Sequence, residues 1–262
     1  MKNYVKANKK WWDSVTQIHS SSKLYDLSKF KKGTTSLQPL EINEVGDVKG
    51  KTLLHLMCHF GMDTLSWARK GAIVTGVDLS SDSIALAKKL SIEIRTPATF
   101  ICKDIYELPK VLNQKFDIIF MSYGVLLWLS DIEEWAKIIN HFLKKGGVLY
   151  IVELHPFTNM FDSEFKLSYQ YFDKGPFTDD SPGTYTDWNA DIKGTTHQWG
   201  HTLGDVINSL INEGLKIEFL HEFSYTMYDQ FPGFMKKNKK GQYVLRDKKI
   251  QIPLLFSLKA TK

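Results

Sequence analysis

Residues 52–80, TLLHLMCHFGMDTLSWARKGAIVTGVDLS, constrain the fold of this chain more than any other stretch. An apolar run at residues 53–57 leads into a tight turn that ends at Gly61. A helical pattern follows and stops at Gly71, and a second apolar run occupies residues 73–77. This order predicts a strand, a helix and a second strand. The two strands are expected to be parallel, because a helix between them supplies the crossover that parallel pairing needs.

Asp78 directly follows the second strand of this unit. In doubly wound sheets, ligands bind outside the carboxyl ends of the strands, and an acid at this place can accept both hydroxyl groups of a ribose. A solvated acid at the start of the next helix is the alternative, but Ser80 and Ser81 can already cap that helix. We therefore predict that Asp78 binds the ribose of a nucleoside cofactor.

The turn between the first strand and its helix indicates which cofactor fits. Dinucleotide-binding folds use G-x-G-x-x-G, which lets the backbone approach a pyrophosphate. Here the turn reads Met57-Cys58-His59-Phe60-Gly61 and keeps a single glycine, so a pyrophosphate would fit badly. S-adenosylmethionine has no phosphate. Its amine can be held by backbone carbonyls at the strand end, and its carboxylate by backbone amides near a helix N-terminus.

This segment resembles the opening of class I S-adenosylmethionine-dependent methyltransferases. Their first motif usually reads DLGCGxG and is followed by a strand ending G-V-D-x-S, and the chain has HLMCHFG and GVDLS in these places. His55 replaces the usual first acid, while Met57 and His59 replace two usual glycines. The resemblance covers residues 49–153 at the level of motifs and residues 202–262 at the level of pattern. It implies S-adenosylmethionine as the cofactor and a seven-stranded sheet whose last strand is antiparallel.

The resemblance also implies a set of cofactor-binding residues at the carboxyl ends of the first four strands. Asp104, just past the third strand, matches the position that bonds the adenine amino group, and a carboxylate suits that donor. Ile105 would then flank the adenine ring. The predicted cofactor-binding residues are His55, Met57, Cys58, His59, Gly61, Asp78, Leu79, Asp104, Ile105 and Ser122.

Strand and helix patterns continue to alternate along the rest of the chain. Further strands are predicted at residues 98–102, 116–121, 148–152, 215–220 and 253–258. Capping boxes predict helix starts at Ser130 with Glu133 and at Thr202 with Asp205. The first helix is expected to end at residues 144–147 and the second at Gly214. We predict one α/β domain with a doubly wound, mostly parallel, Rossmann-like sheet of seven strands. It comprises an N-terminal cap (1–48), a cofactor-binding core (49–153), an aromatic-rich insert after the fifth strand (154–200) and a C-terminal helix with the last strands (201–262).

The catalytic residues are harder to assign. Residues 121–124 carry neither the P-P-[YFW] signature of base-amino methyltransferases nor an acid for a metal-dependent enzyme, and no cysteine is placed for covalent catalysis. Tyr123 is a candidate for contact with substrate or cofactor. His155, directly after the fifth strand, is a candidate general base, with a structural role at the strand exit as the alternative. His197 and His201 are weaker candidates that pack equally well as structural residues.

Three features outside the core bear on the acceptor. The insert contains many aromatic side chains, which predict either a self-packed subdomain or an apolar lid over a small, flat substrate. Trp11 and Trp12, on a predicted lysine-rich N-terminal helix, either cover the cofactor or staple that helix to the core. A basic run indicates either nucleic-acid binding or, as we favour, a solvated loop. The aromatic residues are Phe157, Phe161, Phe165, Tyr169, Tyr171, Phe172, Phe177, Tyr185, Trp188 and Trp199, and the basic ones Lys236, Lys237, Lys239, Lys240, Arg246, Lys248 and Lys249.

Composition limits the class of protein. With 262 residues, 43% of them hydrophobic, the chain can bury one sizeable core. Cys58 and Cys102 fall in apolar, strand-like contexts and are expected to be buried thiols, which indicates a reducing compartment. No apolar run reaches the length of a membrane span, and no cluster of Cys and His predicts a metal site. We expect a cytoplasmic protein.

These observations together predict an S-adenosylmethionine-dependent methyltransferase that acts on O or N of a small molecule, without a metal. An RNA or protein methyltransferase that uses residues 236–249 is the alternative among enzymes. A non-catalytic S-adenosylmethionine-binding protein is a second alternative, because Met57 and His59 replace glycines. A nicotinamide-dependent dehydrogenase is disfavoured by the composition of the turn.

Overall fold

The computed structural model describes residues 3–262 and centres on one large sheet. The strands are β1 (Thr52–Leu56), β2 (Ile73–Asp78), β3 (Thr99–Cys102), β4 (Phe116–Ser122), β5 (Leu143–Leu154), β6 (Phe177–Asp179), β7 (Thr196–Gln198), β8 (Lys216–Phe223), β9 (Met235–Lys237), β10 (Tyr243–Leu245) and β11 (Leu255–Thr261). The helices are α1 (Asn3–Ser21), α2 (Leu27–Lys31), α3 (Pro39–Val45), α4 (Met62–Arg69), α5 (Ser81–Glu93), α6 (Ile132–Phe142) and α7 (Leu203–Asn212).

Seven strands form the central sheet in the order β3-β2-β1-β4-β5-β11-β8. Strands β1 to β5 pair in parallel, and β11 runs antiparallel between β5 and β8. The predicted fold class is therefore confirmed, including the antiparallel last strand. The chain moves outward from β1 to β3 and then restarts beside β1 at β4, so the switch point of the topology lies between β1 and β4.

Both faces of the sheet are covered, which explains the nearly continuous apolar runs of its central strands. One face packs against α6 and α7 through fully buried side chains such as Trp135 and Leu210. The other face packs against Trp67 of α4 and Val45 of α3. Strands β1 and β4 contribute side chains to both clusters, and this places their carboxyl ends at the centre of the molecule.

Two local predictions were wrong. The N-cap of α6 is Asp131, whose side chain accepts a hydrogen bond from the Glu134 amide at 2.9 Å, and not Ser130 with Glu133. Asp131 has the extended backbone that lets its side chain reach that amide. Helix α6 ends at Phe142 rather than near Gly146, because Leu143 already pairs with Phe116 of β4 as the start of β5.

The two cysteines are free, but they differ in exposure. Cys58 is buried as predicted, whereas Cys102 is exposed. Cys102 is the last residue of β3, and β3 is an edge strand of the sheet, so no neighbouring strand covers it on that side. Across residues 3–262, no helix has both the length and the apolar character that crossing a membrane requires.

Candidate active site

The predicted site residues gather along the carboxyl edge of the sheet. The turn of residues 57–61 leaves β1, Asp78 ends β2, Asp104 follows β3 and Ser122 ends β4. Because these four strands are parallel neighbours, their carboxyl ends share one edge. The structure therefore brings the predicted cofactor-binding residues together at the switch point, where open α/β sheets bind ligands.

The turn has a glycine-like backbone at three positions. Met57, His59 and Gly61 have φ values of 59°, 50° and 76°, the left-handed region that L-residues adopt at a cost. Gly61 is required sterically as well, since a β-carbon there would stand 2.6 Å from the ring of Phe100. Met57 and His59 thus keep a backbone conformation that glycine normally supplies, at the two positions where the resembled motif has glycine.

Asp78 is fixed by backbone donors on both sides. Its Oδ2 accepts from the His59 amide at 2.7 Å, and its Oδ1 accepts from the Ser80 amide at 2.8 Å. Burial outweighs these bonds and raises the pKa of Asp78 to about 6. Each carboxylate oxygen can accept a further hydrogen bond, so the side chain remains able to bind two hydroxyl groups.

Residues after β2 and β3 extend this edge. Asp104 caps the short 3₁₀ helix that follows β3 and accepts from the Tyr106 amide at 3.1 Å. Ile105 is buried against the core, and Leu79 is half-buried. The edge beyond Asp78 therefore combines a carboxylate with apolar side chains.

His55 carries no charge at this edge near neutral pH. It is buried in β1, its Nδ1 lies 2.8 Å from Thr64 Oγ1, and burial lowers its pKa to about 3. A neutral imidazole therefore occupies the place of the usual first acid of the motif. His55 thus contacts α4 through Thr64.

Asp63 is a site residue that sequence reasoning missed. It lies in the first turn of α4, and its carboxylate accepts from Ser36 Oγ at 2.5 Å and from Ser122 Oγ at 3.1 Å. Burial raises the pKa of Asp63 even though both hydroxyl groups oppose the shift. Its position two residues after Gly61 was the available signal, but an acid in the first turn of a helix is common for reasons of helix dipole alone.

The N-terminal segment and the insert cover the turn. His19 of α1 contacts both the turn and the insert. Its Nδ1 lies 3.0 Å from His59 Nε2, and its Nε2 lies 2.5 Å from Thr184 Oγ1. Burial lowers the pKa of His19 to about 4 and that of His59 well below its usual range, so both rings are neutral. Trp12 packs edge-on against His59 at 5.3 Å, so α1 covers this side of the turn.

Helix α1 is also anchored to the start of α5. Asp13 accepts from Ser80 Oγ at 2.7 Å and from the Asp82 amide at 3.2 Å, and Thr16 Oγ1 lies 2.8 Å from Ser83 Oγ. These contacts place a negative charge at the N-terminus of α5, where the helix dipole favours it. The N-terminal segment therefore packs against the carboxyl edge of the sheet, where the predicted cofactor-binding residues lie.

The two predicted catalytic residues both have partners. The hydroxyl of Tyr123 donates to Glu41 Oε2 at 3.0 Å, and burial with the neighbouring Glu41 charge raises its pKa well above its usual range. Nδ1 of His155 accepts from the Phe157 amide at 3.1 Å, and its Nε2 lies 2.8 Å from Glu222 Oε1, an ion-pair distance without hydrogen-bond alignment. This geometry favours the structural alternative for His155, and its catalytic role stays a prediction.

The two weaker candidates occupy different environments. His201 Nε2 lies 2.8 Å from the Leu129 carbonyl, and His197 Nδ1 lies 3.3 Å from Thr178 Oγ1 in the small β6–β7 sheet. The first contact joins the start of the C-terminal segment to the loop after β4, and the second lies within the insert. A structural role therefore accounts for each of them.

Glu153 organises the loop that follows β4. Its buried carboxylate accepts hydrogen bonds from the amides of Gly124, Val125 and Leu126, the last two at 2.6 and 3.0 Å. Trp199 of the insert donates its amide to Leu127 in the same loop at 2.8 Å. The loop between the cofactor edge and the insert is thus fixed from both sides.

Comparison with known proteins finds sequence similarity in the part of the chain that carries these residues. Residues 53–147 match a family model described as a methyltransferase domain. The chain is 25% identical over 149 residues to a ubiquinone biosynthesis O-methyltransferase from Chromobacterium violaceum, covering 56% of this chain and 58% of that protein. It is 35% identical over 103 residues to the protein of the same name from Coxiella burnetii, covering 39% and 43%. The chain thus spans about half the length of the curated relatives it matches.

A solved structure agrees in fold over most of the chain. An S-adenosylmethionine-dependent methyltransferase from Mesorhizobium loti superposes with a TM-score of 0.62 at 22% identity, covering 88% of this chain and 100% of the other. The sequence match at residues 53–147 covers β1 to β4, whose carboxyl ends carry the predicted site residues. Residues 53–147 are thus similar in sequence to a methyltransferase domain, and the chain shares the fold of this S-adenosylmethionine-dependent methyltransferase.

Proposed function

We propose that this protein transfers a methyl group from S-adenosylmethionine to an oxygen or nitrogen atom of a small-molecule acceptor. The observation that carries the proposal is a row of three carboxylates along the carboxyl edge. Asp104 lies beyond β3, Asp78 ends β2, and Asp63 lies beside the β1 turn and the end of β4. Their order along the edge matches the order of donor groups along an extended cofactor.

The chemistry of this row suits the three parts of S-adenosylmethionine. Asp104 would accept from the adenine amino group and Asp78 from the ribose hydroxyl groups, while Asp63 would face the α-ammonium group. The cofactor carries a sulfonium and an ammonium, and burial of the carboxylates makes an adjacent cation favourable. A pyrophosphate would meet the same carboxylates as a like charge, which disfavours a dinucleotide.

The reaction depends mainly on the alignment of the acceptor with the methyl group and the sulfur atom of the cofactor. S-adenosylmethionine supplies a methyl group on a sulfonium, which is displaced in line by the acceptor, so the protein must orient the reactants and exclude water. Trp12 and His19 of α1, with Thr184 of the insert, cover the turn and support this role. Tyr123 would contribute as a contact residue at the end of β4.

The small-molecule acceptor is supported by the relatives and by the insert. The relatives named above are O-methyltransferases of ubiquinone biosynthesis. In this chain, the insert places Tyr185 beside the cofactor turn, 4.6 Å from His19. An aromatic surface beside the cofactor fits a flat, apolar acceptor better than a polymer.

An RNA or protein acceptor is supported by one observation. Strands β9 and β10 form a hairpin that presents Lys236, Lys237, Lys239 and Lys240 to solvent. Lys237 lies over the ring of Tyr243 at 5.1 Å, but the hairpin has few other aromatic side chains for stacking. We therefore rank this candidate second.

Calorimetric titration tests the proposal directly. S-adenosylmethionine and S-adenosylhomocysteine should bind with micromolar affinity, and NAD should not bind. Transfer of a labelled methyl group to a panel of small phenols, carboxylic acids and amines should then identify the acceptor class. Binding of NAD alone, or transfer to RNA and to none of the small acceptors, would contradict the proposal.

A further inference from the structure

Two tyrosines from outside the matched domain meet above the cofactor turn. Tyr25 precedes α2 and Tyr185 lies in the insert, and their hydroxyl groups share a short hydrogen bond. The ring of Tyr25 packs edge-on against Phe60 at 4.7 Å and lies 5.7 Å from the ring of His59. The pair therefore connects the N-terminal segment with the insert directly over the turn.

This pair has one hydroxyl proton that it does not use. Burial raises the pKa of both phenols, so each keeps its proton at neutral pH. A hydrogen bond between two hydroxyl groups uses one proton, and the accepting hydroxyl can still donate its own. Within residues 3–262, neither hydroxyl has a second hydrogen-bond partner. Both tyrosines are half-buried, so this proton is open to a ligand that accepts it.

The position of Tyr25 indicates which group of the cofactor it would meet. The ring of Tyr25 contacts His59, whose amide donates to Asp78, and Phe60, which lies three residues before Asp63 in the chain. In keeping with this position, burial raises the pKa of Tyr25 most, and the charges of Asp63 and Asp78 raise it further. In the proposed function, Asp78 holds the ribose and Asp63 faces the ammonium. The carboxylate of the cofactor is bonded to the same carbon as the ammonium. It must therefore lie beside Asp63, and a strong hydrogen-bond donor is needed there.

The other polar side chains described at this edge are already engaged, so a side-chain donor would add to the backbone amides near the start of α4. The hydroxyl groups of Ser36 and Ser122 donate to Asp63. Lys9, a basic side chain of α1 at the same edge, is held by Asp13 at 2.5 Å and by Ser81 at 2.7 Å. The spare proton of the tyrosine pair is thus well placed for the carboxylate.

We propose that Tyr185 donates to Tyr25, and that Tyr25 donates its own proton to the carboxylate of the cofactor's methionine end. The inference rests on the proposed function, because it requires S-adenosylmethionine on this edge. It assigns a cofactor contact to two segments that lie outside residues 53–147.

The test compares S-adenosylhomocysteine with its decarboxylated analogue, 5′-deoxy-5′-(3-aminopropylthio)adenosine. Calorimetry gives the affinity of both ligands for the wild-type protein and for Tyr25→Phe, Tyr185→Phe and the control Tyr169→Phe. Tyr169 lies in the same insert and is exposed. Circular dichroism and a thermal melt confirm that each variant is folded.

Wild-type protein should prefer S-adenosylhomocysteine. Tyr25→Phe should lose about tenfold or more in affinity for it, the range of a hydrogen bond to a charged group, and less than about twofold for the analogue. Tyr185→Phe should lose less, because Tyr25 can still donate, and Tyr169→Phe should lose nothing. Equal losses for both ligands in Tyr25→Phe, or equal wild-type affinities, would overturn the contact while the proposed function stands. A wild-type protein that binds neither S-adenosylmethionine nor S-adenosylhomocysteine would refute both.

Discussion

Replacing Asp78 by asparagine should weaken cofactor binding and remove its dependence on pH. Asp78 receives backbone N–H groups of His59 and Ser80, one on each oxygen, and the ribose hydroxyl groups would be added to this pattern. An asparagine must turn its NH₂ group toward one of these N–H donors, so it loses an acceptor and gains a repulsive contact. We expect a loss of about 1 to 3 kcal/mol, or roughly 5- to 150-fold in affinity.

The pKa of Asp78 supplies the second half of this prediction. In the free protein the pKa of Asp78 is about 6, because burial raises it and the charge of Asp13 raises it further. If only the carboxylate binds ribose, protonation competes with the ligand as pH falls through 6. The dissociation constant should then double at about pH 6 and rise about tenfold by pH 5, relative to its value at pH 8. Above pH 7 the affinity should be constant.

Calorimetric titration with S-adenosylhomocysteine from pH 5 to 8 measures both effects. Asp82→Asn is the matched control, because Asp82 is an exposed acid in the first turn of α5. Asp63 also has a raised pKa, so its protonation could mimic the effect of Asp78. The variant separates them: a pH dependence that persists in Asp78→Asn, or a flat wild-type profile, would refute the reasoning.

Three other results are expected. Between pH 6.5 and 4 the free energy of unfolding should fall by about 3 kcal/mol from His19 alone, because its folded pKa of about 4 lies below the unfolded value. This stabilisation is fully present above pH 6.5 and is lost as the pH falls to 4, and urea titrations should show a smaller fall in His19→Gln. Changing the four lysines of residues 236–240 to glutamate should leave methyl transfer and RNA retention unchanged, and loss of salt-sensitive retention would favour the RNA alternative. Met57→Gly should be more stable than Met57→Ala by roughly 0.5 to 1 kcal/mol in urea unfolding, because glycine relieves the left-handed backbone; the reverse order would contradict that conformation.

The sheet could be predicted from sequence because its signals are local. The apolar runs that predict β1, β2 and β4 lie within one or two residues of the observed strands, and the Thr202 capping box marks the observed start of α7. Each of these signals depends on neighbours in the chain, which periodicity and capping describe well. The error at Ser130 is of the same kind, since Asp131 offers an equally good cap one residue later.

The charge pattern of the site could be predicted only in part. Asp78 and Asp104 follow strands and are visible as strand-end acids. Asp63 is different, because its importance arises from Ser36 and Ser122, which lie 27 and 59 residues away in the chain. No local pattern connects these three residues. The left-handed backbone at Met57 was equally hidden, since residue type argued against it.

The enclosure of the site depends on contacts that no periodicity encodes. His19 meets Thr184, and Tyr25 meets Tyr185, across separations of 165 and 160 residues. Both pairs join segments outside residues 53–147, the part of the chain that matches the family model. The matched part supplies the edge on which a cofactor can lie, and we expect the outer segments to decide what can reach its methyl group. Acceptor choice should therefore follow changes in these outer segments, and cofactor affinity should follow the row of carboxylates together with the tyrosine pair above it.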